Sequence, residues 1–396
     1  MNKFKITLSV FVLTAFVSSV AHATNGAQYT GFGAISQSLG GATVASGWDT
    51  ISAIANPASF GLLEGDRTDM SFEYYMPTRS LNGVKSDIKG LLPLSGGMAI
   101  KTPSGKFTYG LAWGSTFGLA TDFNNSALTS QSETPGVGRA YAQYWVYKFI
   151  PVIAYTPSKN LSLAVGPGIT WQSLEISRPF DMNGNGLYDT QITTNNSYCY
   201  GLGINLGVIY TMSDMLRLGA SYTSKQRMTD HKWNTEYGDV HNEKNSVEQA
   251  AAGIAFTPVK NLTIELNERW LKWSDVLRKA VLKVNGSEFE RLDLGWDDQW
   301  VTALGITYMP TDGLTLRVGF NYGKSPIKDE DVDWNLFSQA YVERHVMAGL
   351  GYAIAKNVEL NIGYGHGFEN KLTSPKTGTQ IKATDDWVDF MMSHKF

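Results

Sequence analysis

The chain is poor in cysteine: Cys199 is the single one among 396 residues. One cysteine excludes an internal disulfide. A lone thiol also needs a positioned base before it can act as a nucleophile, and the sequence places none beside it. We therefore expect Cys199 to pack as a small residue within a strand.

Long apolar runs are also missing after residue 23, where no stretch reaches the roughly 18 residues that a membrane-spanning helix needs. The first 23 residues are different. Lys3 and Lys5 precede an apolar run over 6–20, and Ala21-His22-Ala23 supplies small residues at the two positions that a signal peptidase reads. This pattern predicts a signal peptide over 1–23 and an exported mature chain.

No charge excess and no catalytic motif appears. The 33 Lys and Arg residues nearly balance the 36 Asp and Glu residues, which gives no support for nucleic-acid binding. The sequence shows no nucleophile motif, phosphate loop or zinc spacing, and its histidines are scattered. We therefore expect neither an enzyme nor a bound cofactor.

What the chain does have is a period of two. Apolar residues alternate with polar residues or glycine in segments that begin at Asn160, Met215, Asn261, Gly313 and Asn357. Such alternation predicts strands with one wet face and one apolar face. Together with the signal peptide, the terminal Phe396 and the absence of apolar helices, it predicts an all-β, antiparallel barrel in the bacterial outer membrane, with the apolar face toward lipid.

Short and long connections alternate along residues 62–396, the predicted barrel. Six short turns and seven long polar loops join fourteen strands, and the even number puts both chain ends on the periplasmic side. The segment 280–286 leaves two alternatives open, an extra strand or a hairpin inside the fifth long loop.

Residues 24–61 do not alternate. They are rich in Gly, Ala and Ser, which allow close packing, turns and short helices. In Asn56-Pro57-Ala58, Asn suits a helix cap and Pro the first turn. A barrel of about fourteen strands is too wide to fill with its own side chains. We expect this segment to be a hatch that plugs the lumen.

With these residues the chain resembles the FadL/TodX-type outer-membrane transporters of long-chain fatty acids and aromatic hydrocarbons. The segment ending in Asn56-Pro57-Ala58 looks like the family's hatch motif. Further similar segments lie over most of the mature chain, at 115–126, 268–276, 300–327 and 345–367.

The resemblance implies a fourteen-stranded barrel with the hatch in its lumen, a hydrophobic pocket in the barrel and lateral exit beside an inward kink of the third strand. That strand would be about 106–119, where Gly110, Gly114 and Gly118 recur at every fourth residue. Glycines in a strand weaken pairing and permit kinks, although glycine is common throughout this chain, with 40 in all.

Two further sets of residues are candidates for binding. Arg139 and Arg317 could point inward and pair with a fatty-acid carboxylate, or with acids of the protein. Asp181, Asn183, Asn185 and Asp189 have the spacing of a calcium loop, but the twelfth position is Ile192 instead of a bidentate Glu. A solvated loop tip is the simpler interpretation.

The sequence thus predicts passive uptake of hydrophobic small molecules, fatty acids or hydrocarbons, through a plugged outer-membrane barrel. The alternative is a structural or adhesive barrel that binds an external partner through its loops. We expect a monomer that contacts membrane lipid and lipopolysaccharide, and the barrel-assembly machinery during insertion.

Overall fold

Fourteen antiparallel strands form a closed ring. The computed structural model describes residues 25–124, 128, 131–235, 238–242, 244–284 and 287–396, so the predicted signal peptide lies outside the described residues. The ring strands are β1 Arg67–Leu81, β2 Leu94–Lys101, β3 Phe107–Phe123, β4 Ala140–Ser158, β5 Leu161–Phe180, β6 Ser197–Ser213, β7 Leu216–Thr223, β8 Gln249–Val259, β9 Leu262–Leu271, β10 Gln299–Thr311, β11 Leu314–Gly323, β12 Arg344–Ala355, β13 Val358–Thr373 and β14 Gln380–Lys395.

The first and last strands close the ring. β1 pairs with β14 over its whole length, from Arg67 opposite Lys395 to Leu81 opposite Ile381, and each other strand pairs with its neighbours in sequence. The predicted fourteen-stranded barrel is confirmed. Six connections are short and lie at one end of the barrel, the turn end; two of them use glycines with positive φ, Gly105 (70°) and Gly313 (89°). The longer connections lie at the loop end.

The two faces of the wall differ as the alternation predicts. On β1, Met70 and Phe72 are each 50% exposed on the outer face. Between and beside them, Asp69, Ser71 and Glu73 face inward and are buried. Aromatic rings also stack on the outer face, as Phe72 does with Phe390 at 5.2 Å between ring centroids. This arrangement puts the apolar face toward lipid and the polar face toward the lumen.

The hatch occupies the lumen. It contains one short α-helix, α1 Gly33–Ser38, and two 3₁₀ helices, Ile51–Ile54 and Pro57–Leu62. Its side chains Ile35, Leu39 and Phe60 are buried in one cluster with Ala112 of β3 and Ile150 of β4. The described helices include none that is both long and apolar enough to cross a membrane.

The loop end carries additional elements. A separate four-stranded sheet is built from His231–Thr235, Gly238–Asn242, Ala280–Val284 and Ser287–Leu292. Within the segment 280–286, residues Ala280–Val284 therefore form one strand of a hairpin inside the long loop and add no strand to the wall; residues 285 and 286 lie outside the described residues. The remaining elements are the helix α2 Ser274–Leu277, the 3₁₀ helix Asp329–Trp334, and the short strands Val84–Lys85, Thr190–Thr193 and Arg227–Met228.

The two-faced wall makes a testable prediction about depth in the membrane. We expect Phe72→Lys, in the middle of the outer apolar stretch of β1, to destabilise the barrel by about 2 to 4 kcal/mol. Val259→Lys, at the turn end of β8 where the side chain is 55% exposed, is the control and should cost about 0 to 1 kcal/mol. Denaturant unfolding in phospholipid vesicles measures both; equal losses would contradict the assigned lipid face.

Candidate functional site

Two adjoining cavities lie between the hatch and the loop end. Their volumes are about 470 Å³ and 610 Å³, and both are lined by Tyr144 and Lys244. We call them together the upper pocket. Its apolar wall comes from β3, β4, β5 and the long loops, with Phe117, Leu119, Tyr144, Val146, Leu174, Trp233, Trp273 and Leu277.

Two lysines reach this apolar pocket. Lys148 on β4 is buried, and Lys244, in the loop before β8, places its ammonium 4.3 Å from the centre of the Tyr144 ring. Both line the 470 Å³ cavity. No acidic group stabilises either ammonium among the described residues. Burial lowers the pKa of Lys244 to about 8. The pocket therefore presents two cations without an anion.

A bulge in β3 directs residues into the pocket. The pairing of β3 with β4 shifts register between Ser115 and Phe117. Before the bulge, Thr108 and Ala112 face inward; after it, Phe117 and Leu119 do. Phe117 then packs edge-on against Tyr144 at 4.7 Å between ring centroids. One extra residue thus changes the face that β3 presents to the lumen.

The same part of β3 borders an interruption in the wall. β2 pairs with β3 only as far as Ser95 and Gly114. Towards the loop end, the next contact between the segment after β1 and β3 is the hydrogen bond from Asp87 N–H to the Asp122 carbonyl, 2.8 Å. We call the opening between these two points the lateral gap.

The hatch fills the lateral gap. Gln28 forms a bridge with Phe117 in place of the missing strand neighbour. The next residue, Tyr29, is 7% exposed and packs edge-on against Tyr75 of β1, 6.0 Å between ring centroids. Its hydroxyl lies so close to Gly118 that a Cβ there would overlap it. Moving Gln28 and Tyr29 would therefore open the wall.

The glycine series of β3 lies along this edge. Gly110 is in regular pairing, opposite Ala99 and Val152. Gly114 is the last position paired with β2, and Gly118 lies within the gap. Gly118 makes room for the Tyr29 ring at the opening, and Gly114 lies against Ile54 of the hatch. A role of the whole series in exit stays a prediction. The observed strand, Phe107–Phe123, is longer than the predicted 106–119.

Two more cavities connect the upper pocket with the gap. One of about 440 Å³ shares Gln28 with the upper pocket and is also lined by Glu73 and Gly118. The next, of about 230 Å³, lies between Tyr29, Glu73 and Ser115. Shared lining residues thus trace a path from the upper pocket past the hatch to the wall.

The Asn56-Pro57-Ala58 motif fastens the hatch near the turn end. Asn56 caps the second 3₁₀ helix by accepting a hydrogen bond from Ala58 N–H at 3.0 Å, with Pro57 at the first helical position. Its amide donates to the Val44 carbonyl of the hatch at 2.7 Å and to the Val208 carbonyl of β6 at 3.3 Å. The motif thus links two hatch segments to the wall.

The two predicted arginines lie elsewhere. Arg139 makes a two-point ion pair with Asp122 at the loop end, at 2.9 and 2.8 Å. Arg317 is buried near the turn end, bonded to Asn361 at 2.8 Å and 3.7 Å from Glu359. Both pair with protein groups, and the hatch separates Arg317 from the upper pocket. The arginines are not assembled with the pocket.

The predicted calcium loop is exposed. Asp181 accepts hydrogen bonds from backbone N–H groups of residues 184–186, and Asp189 from those of residues 182 and 183. Hydrogen bonds from Thr190 and these amides lower the pKa of Asp189. Glu133 contacts the amides of Asn183 and Asn185. Metal binding here stays a prediction.

Sequence reasoning missed the lysines and Tyr29. The direction of Lys148 could have been predicted, since it lies two and four residues before the inward-facing Ile150 and Val152 on the same strand. Lys244 is in a polar loop and Tyr29 in a segment without alternation, where sequence alone carries no information about direction.

The sequence is similar to those of known outer-membrane transport proteins. A family model described as outer membrane protein transport protein (OMPP1/FadL/TodX) matches residues 10–393. The long-chain fatty acid transport protein of Escherichia coli O6:H1 is 24% identical over 306 residues, covering 68% of each chain. Outer membrane protein P1 of Haemophilus influenzae is 20% identical over 307 residues, covering 65% of this chain and 64% of that protein.

Solved structures share the fold. The Pseudomonas putida toluene transporter TodX superposes with a TM-score of 0.79 at 17% identity, covering 94% of this chain and all of that one. A Pseudomonas aeruginosa FadL homologue gives 0.74 at 15% identity, covering 94% and 100%.

The position of Tyr29 predicts how the gap opens. In a Cys199→Ser background, Ser115→Cys should react slowly with a membrane-soluble maleimide while Tyr29 is present. We expect Tyr29→Ala to speed this labelling several-fold, because the ring no longer fills the gap. Ala112→Cys, fully buried beneath the hatch on the same strand, is the control and should stay slow. An equal labelling rate of Ser115→Cys with and without the Tyr29 ring would contradict the assignment of Tyr29 as the residue that closes the gap.

Proposed function

Since the chain belongs to the OMPP1/FadL/TodX family of outer-membrane transport proteins, we propose that it takes up hydrophobic molecules with a carboxylate head group, fatty acids above all. Uptake is passive: the ligand enters from the loop end, binds in the upper pocket and leaves through the lateral gap. The family is one of transport proteins, as predicted, and membership favours transport over the adhesive alternative and over an enzyme.

The pair of lysines carries this proposal. An ammonium in poorly solvated surroundings costs several kcal/mol unless an anion accompanies it. Lys148 and Lys244 lack an acidic partner among the described residues and face an apolar, aromatic wall. A carboxylate would pair with them through charge-assisted hydrogen bonds. The alkyl chain would gain about 25 cal/mol for each Å² removed from water.

The lateral gap supports sideways release. A hydrocarbon chain that left through the turn end would enter water and lose the free energy gained in the pocket. Exit between β2 and β3 instead delivers it to the lipid phase. The step requires Tyr29 to move, so binding and release are coupled through the hatch.

We also propose the partners that the wall implies. The outer apolar face suits membrane lipid, and the long loops lie where lipopolysaccharide would surround them. β1 and β14 close the ring within one chain, which suits a monomer. β14 ends at Lys395, followed by the exposed Phe396, as expected for a strand read by the assembly machinery.

Binding measurements test the head-group assignment. We expect Lys148→Met and Lys244→Met each to weaken decanoate binding about tenfold, the loss of one charge-assisted contact of about 1.5 kcal/mol. Toluene binding should change little, because it uses the apolar wall alone. Quenching of tryptophan fluorescence, with Trp233 and Trp273 in the pocket, reports both ligands.

Lys272→Met is the matched control, since Lys272 is a partly exposed lysine already paired with Glu248 and Asp275. It should leave both ligands unaffected. Equal losses for decanoate and toluene would show that the lysines only shape the pocket, and wild-type protein that binds neither ligand would contradict the proposed function itself.

Decanoate binding should also depend on pH. Lys244 has a lowered pKa of about 8, so it is charged below that pH and neutral above it. Decanoate stays ionised throughout, as carboxyl groups titrate near pH 4 to 5. Affinity should therefore fall about tenfold between about pH 7 and 9. Lys244→Met should lose part of this dependence, because Lys148 is a second buried lysine in the same cavity; a slope equal to that of the wild type would exclude Lys244 as its cause.

A further inference from the structure

Two carboxyl groups face each other at the inner side of the lateral gap. Glu73 on β1 and Asp389 on β14 are directly opposed in the register that closes the ring. Both point inward, and they are 5% and 1% exposed. Opposed side chains of an antiparallel pair stand about 5 Å apart, and like charges there are unfavourable.

Among the described residues, the pair has no cation beside it and few hydrogen-bond donors. One Glu73 oxygen accepts a hydrogen bond from the Gln37 amide of the hatch at 2.7 Å. Its other oxygen and both oxygens of Asp389 receive no hydrogen bond from another described group, and the two carboxyl groups lie within hydrogen-bond reach of each other. Two such groups do not both ionise, so one of them holds a proton and the pair carries one negative charge. Both side chains line the 230 Å³ cavity between Tyr29 and Ser115. Buried carboxyl oxygens that face a cavity indicate a site for a polar group.

The surrounding charged groups do not neutralise the pair. On β1, Arg79 is committed to Asp385 of β14 at 2.6 Å. Tyr75 of β1, His345 of β12 and Tyr29 of the hatch line the adjoining cavity, and Tyr147 of β4 lies near Tyr29. Nearer the turn end, Asp69 has its own partner in Arg67 at 2.9 Å. Glu73 and Asp389 are thus acids beside the exit without a cation.

We propose that the Glu73–Asp389 carboxyl pair is a charge filter at the lateral gap, which passes hydrophobic molecules in their neutral form and holds back anions. The inference rests on the proposed function and names the form in which the cargo leaves. A fatty acid held as carboxylate beside Lys148 and Lys244 takes up one proton from water before it passes the pair. The neutral head group then donates its O–H to a carboxyl oxygen of the pair and enters lipid without charge.

Uptake of two cargoes of equal chain length tests the filter. The full-length protein is expressed in Gram-negative cells that lack their own channel of this family. Initial uptake of labelled dodecanoate and of dodecane is then measured across about pH 6 to 8, after subtraction of uptake by cells without the protein. The neutral fraction of a fatty acid falls about tenfold per unit in this range. Wild-type dodecanoate uptake should fall steeply with rising pH, and dodecane uptake should stay level.

Glu73→Gln combined with Asp389→Asn removes the negative charge of the pair and keeps the size of both side chains. This variant should flatten the pH dependence and raise dodecanoate uptake at the upper end several-fold, without change in dodecane uptake. Heat-modifiable gel mobility checks that the barrel is folded. If the double variant does not fold, the pH dependence of the two single variants tests the filter. Glu265→Gln is the matched control: Glu265 is also a buried inward acid, bonded to Ala45 N–H of the hatch at 2.7 Å, but lies away from the gap. It should keep the wild-type pH slope.

The outcomes separate the filter from transport itself. An unchanged pH slope in the double and single variants overturns the filter, as does an equal rise in dodecanoate and dodecane uptake, which would mean that the pair only holds the hatch. If wild-type cells gain uptake of neither cargo, the proposed function fails and the filter with it. Wild-type uptake of both cargoes with an unaltered slope in the variants leaves transport standing and removes the filter alone.

Discussion

Backbone groups in a membrane must find their hydrogen bonds within the protein, because hydrocarbon supplies no partners. The ring meets this requirement by pairing β1 with β14. At the lateral gap, the hydrogen bonds between β2 and β3 are missing. Beyond Gly114, β3 loses β2 as its neighbour, and the hatch takes over through Gln28 and Tyr29. The hatch is therefore part of the wall as well as a plug. A hatch that moves to admit a ligand also exposes a stretch of β3 that has no β2 residue beside it.

The hatch can combine these roles because different contacts hold its different parts. Its later segments are fastened to the wall by polar side chains: Glu265 accepts from Ala45 N–H and Ser46, Asp69 accepts from Thr50 N–H at 2.8 Å, and Asn56 of the hatch donates to a carbonyl of β6. The segment around Tyr29 is held by the bridge between Gln28 and Phe117, by ring packing and by close fit to Gly118. Buried charge-assisted bonds are stronger than such contacts. Motion limited to the first residues of the hatch therefore costs less than release of the whole segment.

The wall could be predicted from the sequence because a period of two needs only the order of residues. The turns, the strand count and the plug followed from it and from the composition of 24–61. The pocket could not be predicted in the same way. The β3 bulge changes which residues face the lumen, and no residue type marks it. The sequence therefore did not predict that Phe117 and Leu119 face inward. Arg139 and Arg317 were reasonable carboxylate partners by residue type, but nearby acids pair with them, whereas the role proposed for Lys148 and Lys244 depends on the lack of such acids among the described residues.

The distribution of charge along the path gives the transport route a direction. Among the residues that the structure describes, no acid pairs with the two ammonium groups of the upper pocket, and no cation pairs with the two carboxyl groups of the gap. An anion is thus stabilised where it enters and repelled where it would leave, so tight binding in the pocket alone would trap it. Taking up a proton resolves the conflict, because it weakens the attraction to the lysines and removes the repulsion from Glu73 and Asp389 together. A neutral hydrocarbon senses neither set of charges. For a hydrocarbon the barrel offers a path of apolar surface that is closed by Tyr29. In the proposed route, movement of Tyr29 would limit the transport of hydrocarbons, and protonation would limit the transport of fatty acids.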